Sequence, residues 1–199
     1  VTGAVIANNL LYSNGALGGA TLNLDGMQNS VVRNNLIYDA RATGIALFQG
    51  DANGSSKNNL VENNTVVVAP AGRWALLLGE GASGNTIRNN VLFSGHTGRG
   101  AISAMPTALP GTASDHNLVE GSFLVGDWGA QLGLSAWQTQ TGLDKNSRVM
   151  DPNSAFVNPG AGDYRLKAGS PAIDLGATAS VTTDLAGNAR VLNGRPDAG

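Results

Sequence analysis

"GNTIRNNVLFSG", Gly84 to Gly95, sets two asparagines, Asn89 and Asn90, between two short apolar runs. Asn is disfavoured in strands and helices and favours turns and the left-handed conformation. A single pair would read as a single turn, but this chain repeats the arrangement. "AVIANNLLYSNG" (Ala4 to Gly15), "SVVRNNLIYDA" (Ser30 to Ala40) and "NLVENNTVVVA" (Asn59 to Ala69) carry the same pair. A degenerate fifth copy reads "NLVEGSFLVGD" (Asn117 to Asp127), with Gly121 and Ser122 standing in for it. The first Asn falls at 8, 34, 63 and 89, and Gly121 continues the column, giving spacings of 26, 29, 26 and 32.

A second apolar run lies between the copies: "GGATLNLDG", "TGIALFQG", "RWALLLGEG" and "GRGAISAM". Each period therefore holds about three short strands separated by Gly, Asn, Ser and Asp. Aliphatic and β-branched residues dominate, and the punctuation comes too often for helices. Short strands at a period in the twenties predict one coil of a parallel β-solenoid per repeat. Stacked coils sit about 4.8 Å apart, so equivalent residues form columns. The residue before the pair runs Ala7, Arg33, Glu62, Arg88, Glu120, with alternating sign, as an exposed ladder that fixes register would. Tyr12, Tyr38, Val67 and Phe93 form another column, read as aromatic stacking. In this reading the Asn pairs are architecture, bends that Asn tolerates and whose amides hydrogen-bond from coil to coil.

Composition agrees with one packed domain. Of 199 residues, 42% are apolar and only 13% charged, with a net charge of -2. No nucleic-acid footprint or polybasic membrane patch is indicated, and no run is long enough for a membrane span. The absence of cysteine removes disulfides, thiolate zinc sites and cysteine nucleophiles, and two histidines, His96 and His116, do not predict a His-rich metal site. The coils span 1–127 and a capping segment 128–199. Within the latter, a short helix is expected at about 134–141, with Ser135 and Gln138 as a capping box and Gly142 as its stop. Trp128 and Trp137 are expected to pack that helix onto the coils. The Pro-, Gly- and Asp-rich remainder predicts extended segments and turns, tied down by Asp174, Asp184, Arg190, Arg195 and Asp197.

The Asn-pair coils resemble the right-handed parallel β-helix repeats of pectate-lyase-like proteins. The tail "DYRLKAGSPAID", followed by "DLAGNAR" and "GRPDAG", resembles the C-terminal end of secreted bacterial β-helix proteins, and "AWQTQTG" the short helix that precedes it. The resemblance implies an all-β, right-handed parallel β-helix of about five coils, secreted or at the cell surface. It also implies a carbohydrate-active function, binding or degrading a polysaccharide as a lyase or glycoside hydrolase, or else a non-catalytic adhesin, stalk or scaffold. Members of that group usually carry an N-terminal cap and more coils. An open first coil, "VTGAVIANN", therefore suggests missing coils or a covering partner.

Lyases of this kind use calcium held by clustered acids; no dense acidic cluster is present, so calcium enters only as a structural ion in the tail. Glycosidases need two carboxylates across the scissile bond. The turns after the second apolar run offer Asp25, Asp51 and Glu80 as candidate catalytic acids, with Asp25 and Glu80 about 10 Å apart on coils one and three. A second group follows the Asn strands and is the candidate substrate-binding set: Asp39 and Arg41, Arg73 and Trp74, His96 and Arg99. Lys57 reads as a loop charge.

Overall fold

The computed structural model describes residues 1–199 and winds the chain up to Val125 into five coils of three strands each. Coil one holds β1 (Val5–Ala7), β2 (Leu10–Tyr12) and β3 (Ala20–Asp25). Coil two holds β4 (Val31–Arg33), β5 (Leu36–Ala40) and β6 (Thr43–Phe48). Coil three holds β7 (Leu60–Glu62), β8 (Thr65–Val68) and β9 (Leu76–Leu78). Coil four holds β10 (Thr86–Arg88), β11 (Val91–Ser94) and β12 (Ile102–Ala104). Coil five holds β13 (Ala113–Asp115), β14 (Leu118–Val119) and β15 (Phe123–Val125). The first, second and third strands of the coils stack into three all-parallel sheets, so the chain is a right-handed parallel β-helix. Its interior is a continuous apolar column that includes Val32, Ile37, Ile45, Val61, Leu76, Ile87 and Ile102.

The Asn pair builds the bend between the first and second sheets, and its two members do different work. The first member, at Asn8, Asn34, Asn63 and Asn89, has φ of 60°, 55°, 52° and 57°. That is the left-handed region, where Asn is one of the few L-residues at ease. The second member points inward and forms an amide ladder. Asn9 Nδ2 donates to Asn35 Oδ1 at 2.9 Å, Asn35 to Asn64 at 2.9 Å, Asn64 to Asn90 at 3.0 Å and Asn90 to Asn117 at 3.1 Å. A second, shorter ladder between the third and first sheets joins Asn59 Nδ2 to Asn85 Oδ1 at 3.0 Å. Amides suit a buried corner because each carries both donors and an acceptor, so a rung satisfies its neighbours on both sides.

The ladder corrects the fifth copy. Its pair is His116–Asn117, not Gly121–Ser122: His116 has φ of 57°, and Leu118 pairs with Val91. The inward residues are therefore 26, 29, 26 and 27 positions apart. In the charge column the fifth member is Asp115 rather than Glu120, so the signs still alternate through Arg33, Glu62, Arg88 and Asp115. Nor is the column an exposed ladder throughout. Glu62 is fully buried, with Arg88 Nη2 at 2.9 Å, because the tail covers it. The aromatic column forms as expected; Tyr12 and Tyr38 stack at 5.2 Å.

Helix α1 (Leu134–Thr141) closes the C-terminal end, and Gly142 ends it in the left-handed conformation with φ of 75°. The capping box does not form, since the N-cap is Gly133 and no side chain caps it. Trp137 is fully buried, stacked 5.0 Å from Phe123. Its Nε1 donates to Asp144 Oδ2 at 2.9 Å. Asp144 Oδ1 also accepts from Asn117 Nδ2 at 3.0 Å, so a buried carboxylate ends the amide ladder. Trp128 does not pack as expected. It stands 86% exposed beyond β15, ahead of the helix rather than under it.

After α1 a short strand, β16 (Arg148–Val149), adds a sixth rung to the second sheet. The tail then turns back along the side of the coils. It contains a one-turn helix, α2 (Pro152–Ala155), which the Pro- and Gly-rich sequence did not predict, and an antiparallel pair, β17 (Phe156–Asn158) with β18 (Asp163–Leu166). Asp151 caps α2 by accepting from Asn153 N. A second apolar cluster, Val91, Phe93 and Leu118 with Phe156, Ala172, Leu175 and Ala198, seals the tail against the second sheet. Arg195 donates to the carbonyls of Gly176 and Leu175, and Asp197 accepts from Asp174 N at 2.8 Å.

Candidate functional site

The three acids of the third-sheet turns differ in how they are held. The Asp25 carboxylate accepts from the backbone N–H groups of Gly50 at 2.7 Å, Asp51 at 2.9 Å and Ala52 at 3.1 Å. These bonds, that of Gly50 foremost, hold its pKa below the ordinary carboxylate value. Asp25 thus folds the inserted loop of coil two back onto coil one. Glu80 accepts from Thr107 Oγ1 in the next coil's turn. Asp51 is exposed, and its side chain has no partner. The outward column of the third sheet itself runs Asn23, Ala46, Leu77, Ser103, Leu124 and contains no ionisable group.

The loops joining the second sheet to the third make a different surface. In coil two, Asp39 accepts from Ser13 Oγ at 2.7 Å and pairs with Arg41 at 3.4 Å. Ser13 foremost, then Arg41, lower its pKa. That pair is complete in itself. In coils three and four, Arg73 and Arg99 each lie three residues before the paired Leu76 and Ile102, in equivalent loops of neighbouring coils. Neither guanidinium forms an ion pair or a hydrogen bond with any side chain or carbonyl. Trp74 is buried, at 5% exposure, beneath Arg99, whose Cζ lies 5.8 Å from the ring centroid. Its face is therefore occupied by a cation, not open as a platform. His96 Nδ1 accepts from Gly98 N at 2.8 Å, which assigns the proton of the neutral ring to Nε2. Ser94 Oγ donates to the Arg73 carbonyl at 2.6 Å and ties the two loops together.

The corrected register of coil five brings in Glu120, which the sequence reading had placed in the charge column. Its Oε2 accepts from Ser94 N, whereas its buried Oε1 has no donor. Burial pushes its pKa up to about 7 despite the N–H groups around it. Gly100 makes this approach feasible, because a Cβ there would lie 2.2 Å from Ser122 O and 2.5 Å from Glu120 Oε1. The readable signal was "DHNL": Asn117 precedes an apolar pair just as Asn90 does in "RNNVL". The structure thus gathers Arg73, Trp74, His96, Arg99 and Glu120 on one corner and leaves Asp25, Asp51 and Glu80 on another. Nowhere do three or more His, Cys, Asp or Glu side chains converge so as to hold a metal ion.

Residues 2–92 match the family model described as a right-handed β-helix region. No curated protein and no solved structure matches the chain.

Proposed function

We propose that the chain is the β-helix portion of an extracellular carbohydrate-active protein that binds an acidic polysaccharide on the corner carrying Arg73 and Arg99. The observation that carries this reading is the pair of cations in equivalent loops of neighbouring coils with no anion of their own. Two like charges one coil apart repel, so the arrangement gains free energy when a carboxylate or sulfate lies between them. The coil spacing lets a linear polyanion run along the stack, with His96 and Glu120 beside it. Binding is favoured over cleavage, as in a surface adhesin or scaffold module. Asp25 and Asp39 are already committed to loop contacts, and the Asn23 column of the third sheet offers no acid.

The test is titration with polygalacturonate, alginate and neutral dextran at low and physiological salt. Binding to a polyanion but not to dextran is expected, weakening with salt. Arg73→Ala with Arg99→Ala should weaken it about tenfold or more, since a charge-assisted hydrogen bond contributes about 1.5–3 kcal/mol. No binding to either polyanion, or unchanged binding by the double variant, would overturn the reading. Release of reducing or unsaturated ends would overturn the preference for binding over cleavage.

A further inference from the structure

The loop that follows α1 carries Lys145 and Arg148 and is pinned to coil five along its length. Asn146 N donates to Asp115 Oδ1 at 2.6 Å, and Asn146 Nδ2 to Asp115 Oδ2 at 2.7 Å. Ser147 Oγ donates to the buried Asp144 carboxylate at 2.7 Å and accepts from Asn117 N at 2.9 Å. Arg148 N donates to Asn117 O at 2.9 Å. The side chains of Lys145 and Arg148 are exposed, and neither forms an ion pair. From the other side the tail brings Arg195. Its Nε donates to Gly176 O at 3.1 Å and its Nη2 to Leu175 O at 3.2 Å. Those bonds orient the planar group, use two of its five N–H donors and leave it without an anion.

Lys145, Arg148 and Arg195, with His116, line one pocket of about 260 Å³ between this loop and the tail. Leu175 is its only hydrophobic lining residue, and no carboxylate lines it. Asp115 touches two of the lining residues, but both its oxygens accept from Asn146, and one lies 3.5 Å from His116 Nδ1. The three permanent cations stand out from the rest of the molecule. They are three of 12 Lys and Arg, which leaves nine against 14 acids elsewhere. Like charges around one pocket repel, and a bound anion relieves that repulsion. Three cations match a doubly charged ion better than a single carboxylate. The volume falls below the 300–1,000 Å³ of sites that enclose a whole small molecule, so the pocket admits one charged group.

We propose that this pocket binds a tetrahedral dianion, a sulfate or phosphate group, between Lys145 and Arg148 of the loop and Arg195 of the tail. The site is separate from the Arg73–Arg99 corner and does not depend on its function. The probes are inorganic sulfate, inorganic phosphate, glucose 6-phosphate and acetate. They are titrated into the full chain at constant ionic strength and a pH of about 8, where a phosphate monoester is dianionic. Amide and guanidinium resonances are followed by proton–nitrogen correlation NMR. Saturable shifts of residues 145–148 and of Arg195 Nε, with one midpoint, are expected for the dianions, and binding at least about tenfold weaker for acetate. Tighter binding of glucose 6-phosphate would support the site as one for an ester, and tighter binding of the inorganic ions as one for the free anion. Lys145→Gln with Arg148→Gln should weaken binding about tenfold or more, since both contacts are charge-assisted. Lys57→Gln with Lys167→Gln removes the same charge elsewhere and should leave it unchanged. No saturable shift with any dianion, shifts that leave out Arg195, acetate binding as tightly, or equal weakening by the two double variants would overturn the proposal.

Discussion

Replacing Asn64 by Leu, similar in shape but unable to hydrogen-bond, tests whether the amide ladder holds the coils together. Asn64 is fully buried at the middle of the ladder. Its Nδ2 donates to Val32 O at 3.0 Å, Glu62 O at 3.1 Å and Asn90 Oδ1 at 3.0 Å. Its Oδ1 accepts from both Asn35 N at 3.2 Å and Asn35 Nδ2 at 2.9 Å. Asn35 Nδ2 keeps the Ile6 carbonyl, and Asn90 Oδ1 keeps Asn64 N. The Asn35 backbone N–H keeps nothing. An orphaned buried N–H costs about 1–3 kcal/mol, and each of the four further bonds lost about 0.5–1.5 kcal/mol, so the sum is about 3–9 kcal/mol. Asn9→Leu is the internal control. Asn9 ends the ladder, is half-buried, and its side chain only donates, to Ala7 O and Asn35 Oδ1. Its loss should cost about 1 kcal/mol. Urea unfolding followed by far-ultraviolet circular dichroism gives both values. If the two variants differ by less than about 0.5 kcal/mol, the ladder is not what holds the coils in register, and the attribution of stability to buried amides fails.

Three further outcomes follow. Glu120 holds its proton up to about 7 when folded but titrates near 4.5 when unfolded, so the native chain binds more protons between those values. Stability should therefore fall as pH rises from about 5 to about 7, and Glu120→Gln should flatten that slope in urea midpoints measured across the range. Trp137→Ala removes a fully buried ring and the donor to Asp144, and should cost about 3–5 kcal/mol. In the parent chain, acrylamide should quench the 86% exposed Trp128 while sparing Trp74 and Trp137.

Most of the winding was legible because it is local chemistry repeated. A left-handed bend favours Asn, a buried corner favours an amide, and strands of two to six residues leave little room between them. Helix α1 falls within its expected bounds, since Gly142 ends it by its own backbone freedom. The fifth copy was misread where His116 takes the left-handed position, because the eye followed the identity of the pair rather than the apolar run after it. Glu120 was lost with it. Trp128 was misread because nothing local distinguishes a Trp facing solvent from one facing the core.

What the sequence determined by itself is the period and the two faces of each rung. The inward and outward Asn positions follow from conformational preference and hydrogen-bond capacity within a few residues. What only the tertiary structure decided is where the tail lies. Ser180 meets Glu62 across 118 residues, Arg190 meets Asn34 across 156, and Ala177 meets Asn89 across 88. Such contacts depend on which surface is free once the coils have closed, and no pattern within the tail encodes that. They turn an outward charge column into a buried ion pair, and one satisfied amide column into a column with a single vacant acceptor at Asn63.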